Sequence, residues 1–259
     1  MFWKNDLISI AVNAEITEYD IKHGNTSIME AFQMVDQSLI DHLNGLPKKR
    51  RNESVGIMQR KDPKFADDLE NNFNITVDDF LSKNQLDKDV DVIEIARDAV
   101  FVLNKPIRYT NFRKEINFIP KNIYHAFIRL ESGLLFYFDM KNNIKILNFM
   151  RDSDQKEETI RKLEPGMLSF LMELVEVCES SNMSRVKIYQ YLKSFCNLYK
   201  KKELDMEYYR EFRPNPQFRV IYGNSVSLID NPDEYYYDDL DISYNYTNII
   251  IPILKILVG

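Results

Sequence analysis

The chain has 259 residues, of which 44% are hydrophobic and 29% are charged, and its formal net charge is −6. This apolar fraction is enough to bury a sizeable core, which argues against intrinsic disorder as the dominant state. With only 7 Gly and 9 Pro, the composition also argues against collagen-like and glycine-rich repeat architectures. The negative charge argues against a protein that coats nucleic acid over its whole surface, although local basic patches can still bind phosphate groups.

The cysteines and the chain ends predict the compartment. Cys178 and Cys196 lie in segments with helical periodicity and show no metal-ligand spacing, so we expect buried free thiols in a reducing compartment. The first residues are interrupted by Asn5 and Asp6 and do not resemble a signal peptide. The apolar segment 248–259 is only about half as long as a membrane span and predicts a strand or short helix docked on the core. We therefore expect a cytoplasmic protein with no membrane partner.

The N-terminal region predicts one strand and several helices. Apolar and then alternating residues over 7–21 indicate a strand that ends near Asp20. Apolar residues at three- and four-residue spacings predict an amphipathic helix over 26–43. Residues 50–80 show the same helical pattern, and Pro63 is expected to begin a new helix within them.

The middle of the chain predicts antiparallel β-structure. Two short apolar runs over 92–103 favour a hairpin with its turn at Arg97 and Asp98, and a single continuous strand is the alternative. Residues 107–149 alternate apolar runs with polar turns, which predicts an antiparallel meander with separate strands over 116–119 and 124–130.

A polar linker over 151–161 predicts the domain boundary. It would separate a domain of residues 1–150 from a mainly helical C-terminal region of residues 151–259. Helical periodicity is clear over 167–178 and 185–199. The predicted fold class is α+β, with an antiparallel sheet and flanking helices followed by the helical C-terminal region.

Two aspartates and a basic helix form the constellation that could carry chemistry. Asp20 is placed at a strand end and Asp98 in the hairpin, while Lys48 to Arg60 form the start of a basic helix. Two carboxylates on adjacent strands can hold Mg²⁺ ions, which stabilise the attacking and leaving oxygens of phosphoryl transfer. A basic helix can neutralise the triphosphate of a nucleotide.

Three segments resemble motifs of family A DNA polymerases, in the same order. The segment EITEYDIKHGNTSIMEAF (15–32) is similar to the first palm motif, in which a strand ends in a metal-binding Asp. The segment PKKRRNESVGIMQR (47–60) is similar to the basic finger helix, and VIEIARDAVFVLN (92–104) to the palm hairpin of the third motif. In that hairpin Arg97, Asp98 and Ala99 stand where the family has His-Asp-Glu.

The resemblance implies a reduced or split polymerase palm subunit that transfers nucleotidyl groups with Mg²⁺. Asp20 and Asp98 would be catalytic and would hold the metal, and Lys49, Arg50 and Arg60 would lie near the incoming nucleotide. Because the resemblance covers only residues 10–105, a second protein subunit is expected to supply the missing parts. A phage or mobile element is the expected source, and DNA or RNA is a possible partner.

Several other residues are candidates for nucleic-acid contact, because basic side chains can bind phosphates and aromatic rings can stack on bases. They are Lys48, Arg51, Lys121, Tyr124, Tyr209 and Arg210. The alternative for Tyr209 and Arg210 is the edge of a core. A further basic group, Lys200 to Lys202, could equally be a solvated helix end.

Each aspartate also has a structural alternative, and so does the whole protein. Asp20 could cap the helix that follows it, and Asp98 could be an ordinary turn residue. The chain could bind nucleic acid without catalysis, as a subunit of a larger phage-type complex. It could also be a structural or interaction protein with the acidic, Tyr-rich segment 233–239 as its docking site.

Overall fold

The computed structural model describes residues 2–4, 8–141, 143–149, 166–230 and 237–257. The strands, in chain order, are β1 Phe2–Lys4, β2 Ser9–Ala11, β3 Ile16–Ile21, β4 Val92–Ala96, β5 Ala99–Leu103, β6 Asn111–Phe112, β7 Ile116–Arg129, β8 Leu135–Asp139, β9 Ile144–Leu147, β10 Phe218–Tyr222 and β11 Ser225–Ile229. The longer helices are α1 Gly24–Ala31, α2 Gln37–Asn44, α3 Lys48–Lys61, α4 Pro63–Lys83, α5 Gly166–Ser180 and α6 Arg185–Lys201. The predicted α+β class is confirmed.

The chain divides into two compact units, which we call the central unit (residues 15–124) and the terminal unit (residues 1–14 and 125–259). This division differs from the boundary expected after residue 150, because residues 125–149 pack with the C-terminal helices rather than with the central unit. The predicted linker over 151–161 lies outside the described residues, as do residues 233–236 of the acidic segment.

In the central unit, β3 lies between β5 and β7 and is antiparallel to both. The side chains of β3 alternate, so Tyr19 and Ile21 pack with the helical core while Glu18 and Asp20 lie on the opposite face. The β4–β5 hairpin turns at Arg97 and Asp98, as the sequence predicts, with Ala96 opposite Ala99. The alternative of one continuous strand is wrong.

The helices of the central unit cover the apolar face of these strands. Phe80 of α4 stacks on Phe118 of β7 with ring centroids 4.3 Å apart. Pro63 begins α4, as predicted, and the side chain of Asp62 accepts a hydrogen bond from the Phe65 N–H to cap it.

The single helix expected over 26–43 is instead two helices, α1 and α2. The break is at Gln33, whose φ is 52°. Met34 N–H donates to the Met29 carbonyl and Gln33 N–H donates to the Glu30 carbonyl, which is the hydrogen-bond pattern of a Schellman C-cap. Glycine usually occupies the left-handed position of this motif and marks the end of a helix in the sequence. With a glutamine at that position, the apolar residues on either side keep the spacing of one continuous helix, so the sequence does not reveal the break.

The two strands expected over 116–119 and 124–130 are one strand, β7. A bulge interrupts its pairing with β3, because Asn122 lies opposite Glu18 while Pro120 lies opposite Tyr19. Lys121 is therefore the extra residue of the bulge. A bulge bends its strand and re-aims a side chain, and here it brings Lys121 to the face of Glu18 and Asp20.

In the terminal unit, α5 and α6 pack together and confirm the two predicted helices, with Phe170 stacked on Phe195 at 4.1 Å between ring centroids. Both thiols, Cys178 and Cys196, are free and buried, as predicted. The described part of the apolar C-terminal segment, residues 248–257, forms short helical turns, and Ile250 is fully buried in the core. None of the described helices combines the length and apolarity needed to cross a membrane.

Candidate functional site

A cleft of about 250 Å³ opens at the end of β3 in the central unit. Its walls come from the β3–α1 turn, the start of α3 and the β4–β5 turn. The residues that line it are Asp20, Ile21, Lys22, His23, Gly24, Asn25, Lys48, Arg51, Asn52, Asp98 and Ile119. Acidic side chains on one part of the wall and basic side chains on another make the cleft strongly polar.

Strand pairing brings Asp20 and Asp98 to the same cleft. Asp20 lies opposite Ala99 in the β3–β5 pair, and the Ile21 N–H donates a hydrogen bond of 2.9 Å to the carbonyl of Asp98. Burial, and then the negative charge of Asp20, raises the pKa of Asp98. Both aspartates line this cleft, and Asp20 lies in β3 rather than capping α1, whose N-cap residue is His23.

Gly24 makes room for the Asp98 carboxyl group. A Cβ atom on Gly24 would lie 3.0 Å from Asp98 Oδ2 and 3.2 Å from Asp98 Cβ. The first residue of α1 therefore approaches Asp98 so closely that a side chain there would force a shift. This glycine of the β3–α1 turn therefore shapes the acidic wall of the cleft.

Asp98 is a partly buried carboxyl group with little compensation. Burial first, and then the charge of Asp20, raises its pKa above the ordinary value of 3.8, despite opposing effects of its own backbone N–H, Arg97 and Lys121. Among the described residues no Lys, Arg or His nitrogen lies within 4.0 Å of its oxygens. Arg97 points elsewhere, to Glu70 at 3.2 Å and to the ring of Phe73. A bound cation would relieve this uncompensated charge.

Asp20 already has a cationic partner. Lys121 Nζ lies 2.6 Å from Asp20 Oδ2 and 3.8 Å from Glu18 Oε1. Partial burial lowers the pKa of Lys121, but its hydrogen bond to Asp20 and the nearby carboxylates raise it by more. Glu18 is buried and accepts hydrogen bonds of 2.8 Å from both Asn122 Nδ2 and the Tyr124 hydroxyl.

The basic wall is built around a buried arginine. Arg51 is only 9% exposed, and its Nη1 donates a hydrogen bond of 2.8 Å to Nδ1 of His23. Partial burial and the charges of Arg51, Lys22 and Lys48 hold the pKa of His23 below its ordinary value of 6.5. His23 is therefore neutral at neutral pH, and no carboxylate within the described ranges lies within 4.0 Å of Arg51. A buried guanidinium without a carboxylate partner is suited to an anionic ligand.

A protein-family model described as "Bacteriophage PBS1 gene 130 protein" matches residues 1–259, the whole chain. The chain belongs to this phage protein family. The predicted association with phage is thereby confirmed. A comparison with curated proteins gives no match. The family description names no reaction, so the chemistry of the cleft is argued from its own side chains.

The cleft contains some of the basic residues singled out in this phage protein's sequence and leaves others outside. Lys48 and Arg51 line it, one turn apart on the same face of α3. Lys49, Arg50 and Arg60, expected at the nucleotide, are exposed on α3 and do not line the cleft. Sequence reasoning missed four residues that line the cleft: Lys22, His23, Asn25 and Asn52. The first three could have been found because they directly follow the strand end at Asp20, and Asn52 because it lies one turn after Lys48 on α3.

Three predicted nucleic-acid contacts are used inside the fold. Tyr124 is 4% exposed and bonded to Glu18, and Tyr209 is 1% exposed and packs on Tyr199. Arg210 pairs with Glu207 through two hydrogen bonds and lies over a phenylalanine ring. Tyr209 and Arg210 were expected to bind nucleic acid. Their contacts instead form the edge of a core, which was the alternative interpretation.

The acidic wall fits Mg²⁺ only together with ligand oxygens. The described residues contain no group of three or more His, Cys, Asp or Glu side chains that could hold a metal by themselves. Mg²⁺, however, is commonly bound by one or two carboxylates plus substrate phosphates, with water completing the octahedron. Asp20 and the uncompensated Asp98 supply such a pair of oxygen donors.

Proposed function

We propose that the cleft binds a nucleoside triphosphate together with Mg²⁺, and that the chain transfers nucleotidyl groups as a reduced or split polymerase palm subunit. One observation carries the proposal: Asp20 and Asp98, at the ends of adjacent antiparallel strands, line one cleft with Lys22, Lys48 and Arg51. This pairing is also what the resemblance of the first and third motifs to a polymerase palm implies.

The roles of the side chains follow from their charges. Asp20 and Asp98 would hold the metal, which when bound neutralises charge on the reacting phosphate. The β- and γ-phosphates would be held by Lys48, Lys22 and the buried Arg51. The hydrogen bond to His23 positions the Arg51 guanidinium before the ligand arrives. A hydroxyl oxygen would then bond to the α-phosphorus, the bond to pyrophosphate would break, and the hydroxyl proton would pass to solvent.

Charge-neutral variants test the acidic wall. Asp20→Asn and Asp98→Asn should each abolish Mn²⁺-dependent binding of a non-hydrolysable nucleoside triphosphate, measured by calorimetry, and any metal-dependent incorporation into a primed template. Asp67→Asn is the matched control, because Asp67 is exposed on α4 of the same unit and does not line the cleft. Unchanged binding in both cleft variants, with folding intact by circular dichroism, would refute the proposal.

The basic wall is tested by two arginines of one helix. Arg51→Gln should weaken nucleotide binding by about tenfold or more, since removing a charged hydrogen-bond partner from a phosphate costs about 1.5–3 kcal/mol. Arg60→Gln should have little effect, because Arg60 is exposed on α3 and outside the cleft. A larger loss for Arg60→Gln would instead support the original expectation that Arg60 contacts the nucleotide.

A second candidate function is nucleic-acid binding without catalysis, within a complex that includes another protein subunit. The ion pair of Lys121 with Asp20 favours it, because the ammonium already neutralises one of the two carboxylates. In that case DNA or RNA affinity should fall steeply with salt and with the Lys48→Gln/Arg51→Gln variant, while Asp20→Asn and Asp98→Asn bind normally.

A further inference from the structure

Helix α6 of the terminal unit carries an unusual concentration of positive charge. Within its 17 residues it has no Asp or Glu, although the whole chain has a net charge of −6. Its basic residues are Arg185, Lys187, Lys193, Lys200 and Lys201. This excess of positive charge on one helix of an acidic protein favours contact with a polyanion.

The exposed side of α6 is an ordered stripe rather than a scatter of lysines. Tyr189, Lys193, Asn197 and Lys200 follow one another at spacings of four, four and three residues, so they lie on one face over about 17 Å of helix. All four are solvent-exposed, while an adjacent face of α6 is buried in the core of the terminal unit.

A tyrosine ring lies near each lysine of this stripe, Tyr189 from α6 itself and Tyr246 from the C-terminal helical segment. The Lys193 ammonium lies 5.8 Å from the centroid of the Tyr189 ring, and the Lys200 ammonium lies 4.8 Å from that of Tyr246. Tyr189 is 50% exposed. No carboxylate of the described residues lies within 4.0 Å of Lys193 or Lys200, and the hydrogen bond of Lys200 to Tyr246 leaves its positive charge unneutralised.

We infer that this stripe binds the backbone of single-stranded nucleic acid, with Lys193 and Lys200 on phosphates and Tyr189 stacked on a base. Aromatic rings interleaved with cations are what sequence-tolerant single-strand binding requires, because every base offers a π-face to stack on. An amphipathic membrane helix would instead expose a continuous apolar face beside its lysines, and this stripe contains Asn197 and two lysines. The inference stands on α6 alone and does not depend on the reaction proposed for the cleft.

Fluorescence anisotropy with a labelled oligothymidylate, at several salt concentrations, tests this surface. Lys193→Gln/Lys200→Gln should weaken binding at least about tenfold at low salt and make the log–log salt slope shallower by about 1.4, since each single-strand phosphate contact contributes about 0.7. Tyr189→Ala should weaken single-strand binding at least about fivefold and duplex binding little. Lys141→Gln is the matched control, because Lys141 is an exposed turn lysine of the same unit.

Three results would overturn the inference. The first is wild-type affinity in the double-lysine variant with its helical circular dichroism intact. The second is an equal loss in Lys141→Gln, which would indicate nonspecific charge attraction. The third is loss of binding to anionic phospholipid vesicles, and not to the oligonucleotide, in the double-lysine variant. A failed cleft proposal would leave all three readouts unaffected, because none uses Asp20, Asp98 or Arg51.

Discussion

Lys121 Nζ lies 2.6 Å from Oδ2 of Asp20, and a β-bulge is the reason. As the unpaired residue of the bulge, Lys121 shares the face of Glu18 and Asp20 instead of alternating away from it. The ammonium group is therefore a counter-ion for Asp20, one of the two acidic residues that line the cleft. A divalent cation that binds Asp20 has to compete with it.

This competition makes a prediction for Lys121→Gln. The amide removes the positive charge, so Mn²⁺ should bind more tightly, by up to about fivefold, which corresponds to an exposed ion pair worth about 1 kcal/mol or less. Titration followed by electron paramagnetic resonance measures the free Mn²⁺. Lys114→Gln, an exposed lysine of the same unit, should leave the affinity unchanged. Weaker Mn²⁺ binding in Lys121→Gln would show that Lys121 positions Asp20 for the metal.

The raised pKa of Asp98 predicts a pH-dependent gain in stability for Asp98→Asn. Below the ordinary carboxyl pKa of 3.8, Asp98 is protonated in both the folded and unfolded states and costs nothing. As pH rises through its raised folded pKa, the unfolded state ionises first and the wild-type protein loses stability. Asp98→Asn avoids this loss, so its melting temperature should exceed that of the wild type at pH 7 and match it near pH 3.5.

Thermal melts by circular dichroism at both pH values check this, with Asp67→Asn as the exposed control. If Asp98→Asn is less stable at pH 7, the carboxylate must form a stabilising interaction in the folded protein. A variant that gains stability while losing Mn²⁺ binding is the pattern expected of a site that trades stability for function.

Gly24 and Gly56 give a matched pair of glycine substitutions. Alanine in a helix is favoured over glycine by about 1 kcal/mol. Gly56→Ala on α3 should raise the free energy of unfolding by up to that amount, because a Cβ atom at residue 56 would lie 3.7 Å from its nearest neighbour, Arg60 Nη1. Gly24→Ala should lose that gain and weaken Mn²⁺ binding, because its methyl group meets the Asp98 carboxyl at 3.0 Å. Equal denaturation midpoints and equal Mn²⁺ affinity for the two variants would show that Asp98 moves aside freely.

Local sequence patterns were enough to predict the acidic half of the cleft. The strand ending near Asp20 and the hairpin turn at Asp98 follow from apolar alternation, and antiparallel pairing then brings the two together. The α+β class, the start of α4 at Pro63 and the helices of the terminal unit follow from the same periodicity.

The basic half depends on features that periodicity does not record. Arg51 looks like its neighbours in a run of four cations, and only tertiary packing buries it against His23. The bulge at Lys121 comes from pairing between strands about 100 residues apart in sequence. Gln33 ends α1 in a left-handed conformation that sequence statistics assign to glycine. For Arg51 and Lys121 a tertiary contact decides the outcome, and for Gln33 the local hydrogen bonds of the helix end do.

The hydrogen bond between Arg51 and His23 predicts how the basic wall responds to acid. The pKa of His23 is lowered from its ordinary value of 6.5, so just below pH 6.5 the unfolded state takes up a proton that the folded state does not. Stability should therefore fall as the pH is lowered below 6.5. Once protonated, His23 Nδ1 can no longer accept from Arg51, and two cations then face each other in the cleft.

His23→Asn removes this proton and tolerates the left-handed backbone, since φ of His23 is 58°. Melting temperatures from pH 7.5 to 5 should fall less in His23→Asn than in the wild type, while His42→Asn, exposed on α2, should follow the wild type. Parallel curves for all three proteins would mean that the His23–Arg51 contact does not set the protonation of the cleft.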